Sequence, residues 1–314
     1  MHAKRWLAAA GLAVMLLGLR PVTAAAPGDF LKNVPATHEA FGFLDVAQAR
    51  ATTLFQELRP LVIDQSTSQG LAMIEQLTGL RLPDDLAALA VSGSIGPKKR
   101  GALYAQGKFD RARIEGFLKA NPQYTEIARG GDKILGFLDE KKGTMTYVLF
   151  LADNLAVMGP LPAIDEVLAT ARGKAPSLAA NPTIQARLGE LGGNPILLGI
   201  AVRPAEAPPE LARLPVELNI QSVVAALFAE ADMLRLVARI EAGTVDLANQ
   251  YRDIVEGVAA LARIQKQVPR AAELANRVTV AQKEKVVEAT ARVETAKVTA
   301  FLRQQILTRR GVQP

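Results

Sequence analysis

The sequence predicts an α+β fold of two related lobes, each a mostly antiparallel sheet packed with helices. Three observations carry this. The stretch Leu82 to Gly173 reads as a strand pair, a capped helix, further strands and a second helix. Its opening, Leu82-Pro83-Asp84-Asp85-Leu86, is echoed by Leu214-Pro215-Val216-Glu217-Leu218, again followed by two apolar runs, a glycine and a helix with an early aspartate. Between the copies, Pro204 to Pro209 is the richest breaker stretch of the chain. The predicted organisation is a signal peptide over 1–25, an N-terminal lobe over 26–203 and a C-terminal lobe over 204–314 that partly repeats the first.

At the N-terminus, Lys4 and Arg5 precede the apolar run Leu7 to Leu19, and small residues Val22-Thr23-Ala24-Ala25-Ala26 follow. The run is too short for an ordinary membrane span and has the three parts of a Sec-type secretory signal. Pro27 disfavours cleavage after Ala26, so cleavage is expected near Ala24 or Ala25. A periplasmic or secreted bacterial protein follows, with no transmembrane span after signal removal. Loss of Lys4, Arg5 and Arg20 takes the formal charge from +6 to +3. His38 is then the sole histidine and no tryptophan is left.

Ala40 to Val46 reads as a strand. Ala47 to Leu58 reads as one helix stopped by Pro60, and Ser68 to Leu77 as another ending at Gly79. Ala88-Leu89-Ala90-Val91-Ser92 and Gly101 to Gly107 form a hairpin across the basic turn Gly93 to Arg100. Asp110 is placed to cap the next helix, with Phe109 and Ile114 as a hydrophobic staple. Tyr124 to Ala128, Ile134 to Leu138, Thr146 to Leu151 and Leu155 to Met158 are strand candidates. Pro162 opens a helix that Gly173 closes, and Ala175-Pro176-Ser177 opens another. Asn181 caps a further helix that reaches about Leu191.

In the second half, Ile196 to Val202, Ile220 to Ala229 and Met233 to Ala242 read as strands, the last with clear period-two alternation. Thr244 to about Gln267 is a helix whose stripe Leu247, Tyr251, Ile254, Val258, Leu261 and Ile264 reads as core rather than as a cofactor box. A short helix follows Pro269. Strands near Arg277 to Gln282 and Val286 to Glu294 and a helix from Thr295 close the chain.

The inventory restricts the chemistry. Cysteine is absent, which removes disulfides, thiolate metal sites, cysteine nucleophiles and lipidated cysteine. A Ser-His-acid triad would have to use His38, near the processed end and with no nucleophile elbow elsewhere, and a surface or strand-edge histidine is favoured. Asp84-Asp85, Asp139-Glu140 and Asp165-Glu166 lack the alternate-residue spacing of a calcium loop and read as solvated or dipole-complementing. The turn Gly93 to Arg100 lacks P-loop spacing and leads into a strand. Lys98, Lys99 and Arg100 are kept as an anion or partner contact. No catalytic, cofactor-binding or metal residue is assigned, and no cofactor is expected.

From Arg263 to Arg310, eleven basic residues stand against four acidic ones, a local net of +7. Aromatic stacking platforms are missing there, so nucleic acid is not expected. An unknown protein, glycan or lipid partner is.

The runs Thr78-Gly79-Leu80-Arg81-Leu82-Pro83-Asp84-Asp85-Leu86, Gly107 to Ile114 and Ala175-Pro176-Ser177-Leu178-Ala179-Ala180-Asn181-Pro182 resemble elements of functionally uncharacterised exported bacterial proteins. The resemblance spans Phe41 to Arg303 and implies a duplicated α+β unit; it brings no catalytic residues. The sequence thus favours an exported, non-enzymatic binding or scaffold protein. Its alternatives are an extracytoplasmic hydrolase using Asp, Glu and Ser residues in an interlobe cleft, or a carrier of an apolar ligand.

Overall fold

A computed structural model describes residues 26–63, 65–94, 100–139, 143–203, 219–264 and 275–309. The signal segment, the breaker-rich boundary, the second Leu-Pro echo, Lys98 and Lys99, Glu140 and the short helix after Pro269 lie outside the described residues. The protein is an α+β chain in which the strand pairs are antiparallel. Its contacts divide it into two compact units, one built from residues up to His38, Phe43–Gly93 and Arg100–Ala180, the other from Glu39–Gly42 and Asn181–Pro314.

In the first unit, α1 (Pro27–Leu31) precedes β1 (Ala40–Asp45), whose first residues belong to the other unit. Two helices follow β1, α2 (Val46–Arg50) and α3 (Thr53–Val62), where the sequence reads as one. The interruption is a second cap: Asp45 Oδ1 accepts from Gln48 N at 2.7 Å and Thr52 Oγ1 from Phe55 N at 3.2 Å. Each cap restarts the helix. Pro60 lies inside the last turn of α3 rather than ending it. Then α4 (Gln65–Thr78) closes with Thr78 Oγ1 donating to Ile74 O.

The hairpin of β2 (Leu86–Gly93) and β3 (Gly101–Gly107) forms as read. At Gly107 a Cβ would stand 2.2 Å from Asp85 O, so only glycine lets the strands approach there. Asp110 caps α5 (Arg111–Lys119), accepting from Arg113 N at 3.1 Å. Next come β4 (Thr125–Arg129), β5 (Asp132–Asp139), β6 (Thr144–Ala152) and β7 (Leu155–Gly159), giving the hydrogen-bonded order β2-β3-β7-β6-β5-β4. Phe109 and Ile114, the staple pair, pack with Leu118, Leu135 and Phe150. α6 (Leu161–Ala171) buries Ala163, Ile164, Val167 and Leu168. Where Ala175-Pro176-Ser177 predicts a helix start, there is a single 3₁₀ turn, Leu178–Ala180.

The second unit begins with α7 (Pro182–Gly189), capped by Asn181 through Thr183 N and Ile184 N. It continues with β8 (Leu197–Val202), β9 (Ile220–Glu230), β10 (Met233–Ala242), α8 (Val245–Ile264), β11 (Val278–Lys283), β12 (Val286–Glu294) and α9 (Thr295–Arg309). Its strands order as β11-β12-β10-β9-β8. Both tight hairpin turns hold a non-glycine at positive φ, Ala231 at 51° and Glu284 at 52°. Among the described residues, no helix is long and apolar enough to cross a membrane.

Candidate functional site

Two features could carry function, one polar and largely buried in the first unit, the other apolar and open in the second. The polar one is centred on His38. The segment before β1 is tied down by Ala36 N donating to Pro176 O at 3.0 Å and Leu178 N donating to Val34 O at 2.7 Å. That tether seats Phe30, Leu31, Val34 and His38 in the core, and His38 is 0% exposed. The sequence favours a surface or strand-edge position; burial follows from the Pro35–Ser177 bridge, a contact across the whole unit that local pattern does not encode.

His38 Nδ1 and the Ser92 hydroxyl share a 2.7 Å hydrogen bond, and the same hydroxyl lies 3.3 Å from Tyr104 Oη. The other ring nitrogen, Nε2, stands 3.5 Å from Glu166 Oε2. Glu166 also accepts from Thr37 Oγ1 at 3.3 Å and pairs with the Arg100 guanidinium. Burial pushes the Tyr104 phenol above its ordinary range, against the lowering effect of Ser92. Serine, histidine and glutamate therefore meet in the order of a triad. Ser92 lies within a strand, is buried, and has its oxygen enclosed by His38 and the fully buried Tyr104. A nucleophile must reach its substrate, and the Ser92 oxygen is closed in on one side by the His38 ring and on another by Tyr104.

Of the predicted anion-contact residues, Arg100 is described, and its guanidinium pairs with Glu166. Glu166, read from the sequence as part of a solvated or dipole-complementing acidic pair, instead meets Thr37, His38 and Arg100, which come from segments 66 to 129 residues away. The acidic pair Asp84-Asp85 points two ways. Asp84 pairs with Arg50 at 3.0 Å, while Asp85 takes three bonds from Arg81. Burial alone would raise the Asp85 carboxyl, but the Arg81 bonds and charge outweigh it and hold it below the ordinary range. Asp85 is thus buried and paired, not solvated. Among the described residues, no three His, Asp or Glu side chains cluster as metal ligands.

The apolar feature is the outer flank of α8. The predicted core stripe splits: Tyr251 is buried and Leu247 half-buried, but Ile254, Val258, Leu261 and Ile264 are 59%, 61%, 66% and 72% exposed. The helix seats Ala248, Tyr251 and Ala259 inward instead, with Ala248 and Tyr251 packing on Ala242 and Val287. Small residues let the helix lie close to the sheet. A 100° step per residue turns positions 254 and 261 away from positions 248 and 259, whereas Val258 shares a face with Tyr251 and is exposed all the same. Helical spacing showed the stripe but not which flank meets the sheet.

No protein-family model and no curated protein matches the chain. Among solved structures it is similar to crystal form III of TP0453, with a TM-score of 0.51 at 10% sequence identity over 90% of this chain and 99% of that one. Crystal form IV of TP0453 gives a TM-score of 0.50 at 8% identity, over 90% of this chain and 97% of the other. At such identities the likeness is one of fold, and it assigns no residue a role.

Proposed function

We propose that this chain is an exported, non-enzymatic binding or scaffold protein, working in the periplasm or outside the cell. The observation that carries the reading is the flank of α8, where four large aliphatic side chains in one row stay exposed. A contiguous exposed apolar surface of that kind marks an interaction site. A row on the outside of one helix offers no concavity to enclose a small molecule, so a protein partner fits it better than an apolar ligand. The Ser92–His38 pair, the part of the polar constellation that most resembles catalytic machinery, is buried against Tyr104, which supports a structural role for it.

Two measurements test the reading together. A photoreactive amino acid at Val258 in the native cell envelope should give one discrete protein adduct, and one at the polar position Asp253 should not. The purified mature chain should turn over none of a broad panel of ester, amide, glycoside and phosphate substrates. Turnover that survives purification to homogeneity, or no adduct at Val258, overturns the proposal.

A further inference from the structure

Strand β11 ends the strand order of the second unit, and among the described residues it pairs on one side only, with β12. Such an edge presents a row of unused backbone donors and acceptors. Edges are ordinarily guarded by charge. In the first unit, edge strand β4 carries Glu126, paired with Lys133 at 3.3 Å, and Arg129, paired with Asp165 at 3.5 Å. β11 has no such guard short of its last residue: Val278, Thr279, Val280, Ala281 and Gln282 are uncharged and contain no proline.

The charges sit at its ends. Arg277, just before the strand, and Lys283, its last residue, are both exposed, and neither has an ion pair among the described residues. Thr279 and Ala281 share that exposed face, while Val278, Val280 and Gln282 are half-buried. The two cations are six residues apart, roughly 20 Å along an extended chain. Antiparallel pairing of β11 with a second copy of itself, centred on Val280, would set Arg277 of one copy against Lys283 of the other. Like charges directly opposite destabilise a strand pair.

From this we infer that β11 accepts an extended peptide as an added strand, and that the peptide carries acidic residues six apart on one face with small or β-branched residues between. The peptide backbone supplies the affinity and the two acids set the register. This names a partner chemistry for the binding role proposed above and rests on it, while using a different surface from the α8 flank.

The test uses the purified mature chain and a fluorescein-labelled peptide Glu-Thr-Val-Thr-Val-Thr-Glu, with Lys-Thr-Val-Thr-Val-Thr-Lys as comparison, read by anisotropy. The acidic peptide should bind at least about tenfold more tightly than the basic one, and Lys283→Glu should weaken it about tenfold. Lys283 is exposed, so circular dichroism and thermal unfolding of that variant should match wild type. Hydrogen exchange should slow along Val278–Lys283 when the acidic peptide is added. Equal binding of the two peptides, no binding of either, protection confined to other segments, or concentration-dependent self-association that Lys283→Glu strengthens would each overturn the inference. Failure here with a Val258 adduct intact removes the edge proposal alone; loss of both removes the binding reading.

Discussion

His38 Nδ1 lies 2.7 Å from Ser92 Oγ, and this pair joins the N-terminal segment to the central hairpin inside a region that solvent does not reach. Ser92→Ala would leave a buried ring nitrogen without its hydroxyl partner. A loss of about 1–3 kcal/mol in unfolding free energy is expected, measured by urea denaturation.

Asp85 and Asp45 should give pH dependences of opposite sign. Asp85, held below the ordinary 3.8 by Arg81, contributes stability that is present above that value and lost as pH falls through its lower folded value. Asp45 is raised, because burial outweighs its bonds from Gln48 and Ala47 and the charge of Arg50. Its contribution is present below 3.8 and lost as pH rises through the raised folded value. Urea midpoints between pH 2 and 7 should therefore show Asp85→Asn weakened at neutral pH and flatter in the acid limb. Asp45→Asn, which keeps a capping oxygen, should be as stable as wild type or more so at neutral pH.

Tyr251 is buried on the inner face of α8, and its hydroxyl has no hydrogen-bond partner among the described residues. Tyr251→Phe removes the unpaired polar atom while keeping the ring against Ala248 and Val287. It should stabilise the protein by about 1 kcal/mol. By contrast, Leu261→Ser on the exposed flank should change stability by less than about 0.5 kcal/mol. If the flank were core, that serine would cost several times as much.

Ala231 and Glu284 hold left-handed backbone at φ 51° and 52° in two-residue hairpin turns. An L-residue there carries a steric cost of about 1–2 kcal/mol, partly offset by the greater chain entropy glycine would lose. Ala231→Gly and Glu284→Gly should each raise stability by about 0.5–1 kcal/mol, read from thermal midpoints.

Much of the fold was legible in the sequence because its signals are local. Asp110 and Asn181 cap the helices they were expected to cap, Gly173 takes positive φ (68°) just past α6, and the β2–β3 hairpin brackets its glycine turn. The failures have two causes, an ambiguous local signal and segments that arrive from far away. Ala47 to Leu58 looks continuous because Thr52 is as ordinary inside a helix pattern as at a cap. His38 looked exposed because its partners, Ser92 and Glu166, lie 54 and 128 residues later. The α8 stripe was visible as a stripe, but alanines took the inward positions, so hydrophobicity alone pointed the helix the wrong way.

The most direct measurement of the central claim is covalent capture from Val258 in the native envelope, compared between wild type and an Ile254→Ser, Leu261→Ser double variant. A single discrete adduct in wild type, lost in a double variant that folds and accumulates normally, is the predicted result. An adduct that persists unchanged in the double variant, or none in either, would contradict it.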